Sequence, residues 1–293
     1  MKILLLGKNG QVGWELQRSL APLGEILALD SKIPDYCGDL SDLQGLIATV
    51  QRFAPDVIVN AAAYTSVDKA EAEPQLARRI NAEATAVLAQ EAQRLSALLV
   101  HYSTDYVFAG DGEAPWQETD PVAPLNTYGV SKLEGEQAVQ ASGCLHLIFR
   151  TSWVYAERGN NFAKAILRLA KEQERLNVID DQFGAPTGAE LLADVTAHAI
   201  QAVRQQSALG GLYHLAAAGE TTWFLFARFV LEQAEAAGIS LKWPATEAYP
   251  IPARRPSNSR LNTQKLQKAF ALHLPDWQTG VARMLMETLE KSV

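Results

Sequence analysis

Tyr128 and Lys132 stand four residues apart in the stretch Tyr128-Gly129-Val130-Ser131-Lys132. On a helix such positions lie one above the other, so an ammonium can sit beside a phenol and favour its phenolate form. A phenol tuned in this way passes a proton to a carbonyl oxygen while hydride arrives at the carbon. Upstream, Ser103-Thr104-Asp105 offers the Thr104 hydroxyl to the same oxygen. These are the parts of a carbonyl-reduction site. The same residue types also occur as an exposed helix and a capped loop, so the reading depends on a hydride carrier.

The carrier's signature stands at the amino terminus. The apolar run Lys2 to Leu6 runs directly into Gly7-Lys8-Asn9-Gly10-Gln11-Val12-Gly13, which opens a helical pattern from Val12 to Leu20. Glycines at three-residue intervals between a strand and a helix permit a tight turn, close approach of backbone to a pyrophosphate, and close packing of helix on sheet. A second strand, Glu25 to Leu29, ends at Asp30. That carboxylate is at the distance where adenosine ribose hydroxyls are met. A nicotinamide dinucleotide, NADH or NADPH, is the expected cofactor.

The elements that must position these groups alternate along the chain. Val57 to Val59, Ala97 to His101 and Leu145 to Phe149 are apolar runs of strand length. Helical patterns cover Leu43 to Phe53, Gln75 to Leu95 and Ser131 to Ala141. The alternation predicts an α/β fold, a Rossmann-type doubly wound parallel sheet whose ligand groups gather at strand carboxyl ends. Beyond Trp153 the pattern changes: a helix over Asn161 to Lys171, a short strand near Asn177 to Ile179, a loop over Gln182 to Thr187, then helices over Ala189 to Val203 and Trp223 to Ala236. Residues 1–150 read as the dinucleotide-binding domain and 151–293 as a smaller, interleaved substrate-binding lobe, with 174–205 expected to return to the first.

Taken together, Gly7, Gly10 and Gly13, the acidic turn Gly38-Asp39-Leu40, the run Asn60-Ala61-Ala62-Ala63-Tyr64 and the pair Tyr128/Lys132 identify a resemblance to the extended short-chain dehydrogenase/reductases. Within them, the chain resembles the branch that reduces dTDP-linked 4-keto-6-deoxyhexoses, through Asn60 to Glu71, Ser103 to Phe108, Arg150 to Tyr155 and Arg255 to Ser259. The resemblance implies Tyr128 as proton donor, Lys132 as its partner and a ligand of the nicotinamide ribose, and Thr104 as the group that orients the carbonyl. Around the cofactor it implies Asn9, Gln11 and Val12 of the glycine loop, Asp39 and Leu40 at adenine, and Ala62, Ala63, Tyr64, Thr65 and Tyr102 along the remainder. Val67, Asp105 and Val107 are implied as substrate contacts. Glu15, Glu190 and Glu290 correspond to carboxylates associated with Mg2+ at a subunit interface in some relatives, which implies a homodimer.

Two further substrate groups follow from residue chemistry. Trp153, just past a strand end, suits the apolar face of a deoxysugar. Arg254 and Arg255 precede Pro256 in an acidic protein, and a guanidinium matches a diphosphate. The residue after Thr104-Asp105 is Tyr106, where nucleotide-sugar dehydratases typically carry a glutamate for elimination. Simple 4-keto reduction is therefore favoured over dehydration. Epimerisation stays open, as does a dinucleotide-binding regulatory subunit similar to that of methionine adenosyltransferase.

Composition sets the outer limits. The 293 residues carry a net charge of −7 with no long basic run, which argues against nucleic acid and anionic membranes as partners. No segment approaches membrane-spanning length. Cys37 and Cys144, the only cysteines, have no metal or redox spacing and read as reduced thiols of a cytoplasmic protein.

Overall fold

The computed structural model describes residues 1–32, 35–173, 176–238 and 254–290. Residues 239–253, which lead up to Arg254, lie outside the described residues. The first half runs β1 (Lys2–Leu6), α1 (Gln11–Leu20), β2 (Glu25–Leu29), α2 (Leu43–Phe53), β3 (Val57–Asn60), α3 (Val67–Ala72), α4 (Pro74–Arg78), α5 (Ala84–Leu95), β4 (Leu98–Thr104), α6 (Thr127–Ser142) and β5 (His146–Thr151). The second half adds β6 (Val154–Tyr155), α7 (Phe162–Glu172), β7 (Phe183–Gly184), β8 (Thr187–Gly188), α8 (Ala189–Gln205), β9 (Gly211–His214), β10 (Thr221–Thr222), α9 (Trp223–Ala236), α10 (Gln264–Phe270) and α11 (Trp277–Glu290).

Six strands form one parallel sheet in the order β2-β1-β3-β4-β5-β9. Helices cover both faces, which is why the strands are continuous apolar runs rather than alternating ones. The period of two along each strand sorts side chains between two cores. Ile3, Leu5, Val57, Val59, Val100 and Phe149 meet α1 and α8 on one face. Leu4, Leu6, Ile58, Leu99 and Ile148 meet α2, α5 and α6 on the other. A third core joins α7, α9 and α11 around Tyr155, Phe226 and Trp277. Among the described residues, no helix is long and apolar enough to cross a membrane.

Some elements differ from the sequence expectation. Gln75 to Leu95 is not one regular helix, because a π-helical turn over Arg79–Glu83 joins α4 to α5. Helix α6 begins four residues earlier than its apolar pattern, since Asn126 caps it by accepting from the Gly129 N–H at 2.8 Å. Such a cap is worth about 1 kcal/mol. Strand β9 has no alternation to announce it: four residues suffice because β5 offers a ready edge. The expected loop over Gln182 to Thr187 contains the short strands β7 and the start of β8.

Candidate active site

The glycine loop is built by close contact. Gly7 has φ +86°, and a Cβ there would stand 2.8 Å from the Ala62 nitrogen. A Cβ on Gly13 would fall 2.1 Å from the Gly7 carbonyl oxygen, so only glycine lets α1 settle onto the loop. Gly10 is the residue before α1, with no side-chain cap on the helix's first N–H groups. A groove follows, lined by Gly7, Asn9, Gly10, Asp30, Asp39, Leu40, Ala62 and Ala63 together with Ile80. Bare backbone donors at a helix start, a cradle that any side chain would fill, and a carboxylate at the next strand end fit a dinucleotide. Asp30 is held in place: Asn9 Nδ2 donates to Oδ2 at 2.5 Å, the Lys32 N–H to Oδ1 at 2.8 Å, and the Lys8 ammonium lies 3.8 Å away.

The rest of the expected cofactor set lies around this groove rather than in it. Gln11 accepts from Asn161 Nδ2 at 3.2 Å, and Val12 packs on the sheet core. Tyr64 turns its hydroxyl to Glu73 at 2.6 Å. Thr65 is exposed next to it. Tyr102 points its ring at α8, where its hydroxyl meets Thr196 Oγ1 at 2.6 Å, and only its carbonyl faces Lys132.

At the carboxyl end of β4, Thr104 Oγ1 donates to Asp105 Oδ1 at 3.0 Å and accepts from the Tyr106 N–H at 3.1 Å. Both Thr104 and Asp105 are buried. Tyr128, in the first turn of α6, packs edge-on against Tyr106 with ring centroids 5.8 Å apart. Gly129 makes this approach feasible, since a Cβ there would stand 2.3 Å from the Tyr106 carbonyl oxygen. One turn on, Lys132 is buried, with Nζ donating to the Tyr102 carbonyl at 2.5 Å and lying 3.4 Å from His101 Nε2. Glu136, a further turn along, makes a two-pronged pair with Arg150 of β5, at 2.9 and 2.6 Å. Tyr128, Lys132 and Glu136 thus form one polar stripe of α6 turned toward the sheet.

Electrostatics correct one expectation. Lys132 is not among the groups acting on the Tyr128 phenol. Burial first, then the Asp105 charge, push that phenol up to about 12, and the Thr104 hydroxyl pulls it back. The physical reason is that the lysine side chain reaches to the β4 carbonyl rather than to the phenol. Tyr128 is consequently a protonated donor at neutral pH, the state a reduction requires. Burial lowers Lys132 to about 8 against the opposing Glu136 charge. Burial likewise raises Asp105 to about 6, opposed by the Ser259 and Thr104 hydroxyls.

The expected substrate residues are only partly assembled. Arg255 lies near Tyr106 and pairs with Asp68 at 3.0 Å, while its Nε is buried without a partner. Arg254 is exposed, and its carbonyl accepts from Asn126 Nδ2 at 2.9 Å. Trp153 adopts φ +49° and stacks on Trp223 with centroids 3.7 Å apart. Val67 opens α3, one residue before Asp68. Val107 is fully buried, so its side chain is out of a ligand's reach: the tight turn over Asp105–Val107 folds this apolar residue inward.

Within one chain the three glutamates do not come together. Glu15 and Glu190 line one pocket with Asp194, where Arg18 lies 3.4 Å from Glu15 and 2.8 Å from Asp194, and Arg283 lies 2.9 Å from Glu190. Glu290 lines a separate groove beside Gln233 and Leu289. Among the described residues no three His, Cys, Asp or Glu side chains form a metal-binding group.

Two residues absent from the expected set hold the site. Asn81, in the π-helical turn, accepts from the Tyr64 N–H at 2.8 Å, donates to the Tyr64 carbonyl at 3.0 Å and to Ser131 Oγ at 3.0 Å. It ties the loop after β3 to α6. Glu136 was readable as the next step of the Tyr128/Lys132 spacing, whereas nothing local marks Asn81.

The model of the family described as RmlD substrate binding domain matches residues 1–290. A dTDP-4-dehydrorhamnose reductase of Shigella flexneri is 61% identical over 292 residues, covering 98% of each chain. Among solved structures, a dTDP-4-dehydrorhamnose reductase from Clostridium acetobutylicum superposes with a TM-score of 0.88 at 34% identity, covering 99% of this chain and 100% of that one. One from Bacillus anthracis, in complex with NADP, gives 0.87 at 36% identity, covering 98% and 99%. With its glycine cradle, its Thr104/Tyr128/Lys132 cluster and this similarity from end to end, the chain belongs to the RmlD substrate binding domain family, among the extended short-chain dehydrogenase/reductases.

Proposed function

We propose that the protein reduces the C4 keto group of dTDP-4-dehydro-6-deoxy-L-mannose (dTDP-4-dehydrorhamnose) to dTDP-L-rhamnose, with NADPH or NADH, for cell-surface polysaccharide. The observation that carries this is the convergence of Thr104, Asp105 and Tyr128 at the end of β4, above Lys132, in a chain so similar to the Shigella reductase. When bound, the nicotinamide supplies the hydride. Tyr128 donates the phenolic proton to the C4 oxygen as negative charge develops there. Thr104 turns its hydroxyl from Asp105 to the same oxygen and orients the carbonyl. Lys132 offers a hydrogen bond to the nicotinamide ribose.

The lobe after β5 receives the nucleotide sugar. Trp153, fixed by its stack on Trp223, presents a flat face to the deoxysugar. Arg255, whose Nε has no partner, is matched to the diphosphate, with Arg254 beside it. Tyr106 stands where elimination would require a carboxylate, in keeping with reduction and not dehydration.

The test is oxidation of NADPH and NADH against a panel of 4-keto nucleotide sugars, with product stereochemistry resolved by NMR. Turnover of the dTDP-linked 6-deoxy-4-ketohexose to the L-rhamnose product is expected. Cofactor binding with no oxidation on any 4-keto substrate would instead identify a regulatory subunit.

A further inference from the structure

His101 and Asn60 are register partners on adjacent strands, each 1% exposed, directly beneath Lys132. Asn60 Oδ1 accepts from the Ala62 N–H at 3.3 Å, which turns its amide nitrogen toward His101 Nδ1 at 3.4 Å. An imidazole that accepts at Nδ1 carries its hydrogen on Nε2. Nε2 is the atom that faces Lys132 Nζ, at 3.4 Å. Flipping Asn60 would set its NH2 against the Ala62 N–H, so the orientation is locked.

We propose that His101 is a positioning residue that holds Lys132 and sets how readily it keeps its proton, because Asn60 fixes the imidazole with an N–H, not a lone pair, toward Nζ. A neutral amine accepts that N–H on its lone pair and still donates to the Tyr102 carbonyl. An ammonium keeps the Tyr102 bond but meets the N–H head on. Doubly protonated imidazole is no alternative, since burial and the neighbouring lysine hold His101 well below its ordinary value. From α6, Glu136 favours the ammonium, though Arg150 of β5 already occupies both its oxygens. Tyr128, on the same stripe, and Asp105, at the end of β4, are the other ionisable groups at this end of the site.

The balance lets Lys132 change charge within the working pH range. This role rests on the reductase reading above.

The test separates the two. Lysine labelled with 13C at Cε reports the Lys132 titration by NMR without substrate, with Lys132→Met to assign the signal. His101→Phe removes the opposing N–H. Asn60→Leu keeps the histidine but frees Nδ1 to take the hydrogen, so that Nε2 accepts from the ammonium. Both should move the Lys132 midpoint up by about one pH unit, and the corresponding limb of the kcat/KM profile with it. A midpoint that stays put or falls in the folded variants overturns the proposal. Should His101→Phe fail to fold, Asn60→Leu decides alone. Absence of wild-type turnover would refute the reductase reading while leaving the NMR result intact.

Discussion

Adding one methyl group to Gly129 tests whether the site depends on the seating of α6. The new Cβ would stand 2.3 Å from the Tyr106 carbonyl oxygen and 3.0 Å from Pro124 Cβ, where ordinary contact begins at about 3.4 Å. The oxygen belongs to backbone in the turn after β4 and has no rotamer to escape into. The helix must therefore retreat by about 1 Å, carrying Tyr128 and Lys132 away from Thr104. Overpacking of this kind costs about 1–3 kcal/mol of stability, and a displacement of about 1 Å at a reacting group costs on the order of 10²-fold in rate. Gly143→Ala supplies the control. Gly143 has φ +72° at the end of the same helix, with nothing within 4 Å of an added Cβ. Alanine there should cost about 1–2 kcal/mol through its left-handed backbone alone. Both variants would be assayed by urea melts and steady-state NADPH oxidation. The expected result is comparable destabilisation in the two, with kcat lost only in Gly129→Ala. If Gly129→Ala keeps kcat within about threefold of wild type, α6 seating does not govern the chemistry.

Three further outcomes follow from the same geometry. Tyr128→Phe keeps the ring against Tyr106 but removes the transferable proton, so turnover should fall by roughly two to four decades with cofactor affinity intact; near-normal turnover would remove Tyr128 from the proton-donor role. Asp30→Ala removes like charge from the position of a 2′-phosphate, leaving Lys8 to attract it, and should shift the kcat/KM ratio toward NADPH by about tenfold, ~1.4 kcal/mol; an unchanged ratio would mean that Asp30 does not face the ribose. Asp105 is raised from 3.8 to about 6, so its neutral form suits the fold, and wild-type stability is lost as pH rises through that interval. Asp105→Asn does not titrate, and its stability relative to wild type should grow by on the order of 2–3 kcal/mol between pH 3.5 and 7. A difference in urea-melt stability that stays flat over that range would refute the burial argument.

The sequence alone determined what is local. The strand-glycine-helix opening is legible because close packing at Gly7 and Gly13 tolerates no other residue. The central strands are legible because burial on both faces demands unbroken apolar runs, as in Ile3 to Leu6. The Tyr128/Lys132 pair shows because a helix repeats every 3.6 residues. Tertiary structure decided where the lysine's charge goes: β4 presents the Tyr102 carbonyl and His101 to Nζ, and strand register, invisible in either strand alone, sets Asn60 beside His101. It decided that Arg18 and Arg283 pair with Glu15 and Glu190, that Glu290 faces another groove, and that Val107 turns inward. It also made Asn81 a clasp between the loop after β3 and α6, through a π-helical turn that no spacing rule foresees. Helix α6 hid its own start, because its buried stripe is ionic and carries almost no apolar period. Charges paired across elements leave no trace in either segment's pattern, so only the assembled fold could show them.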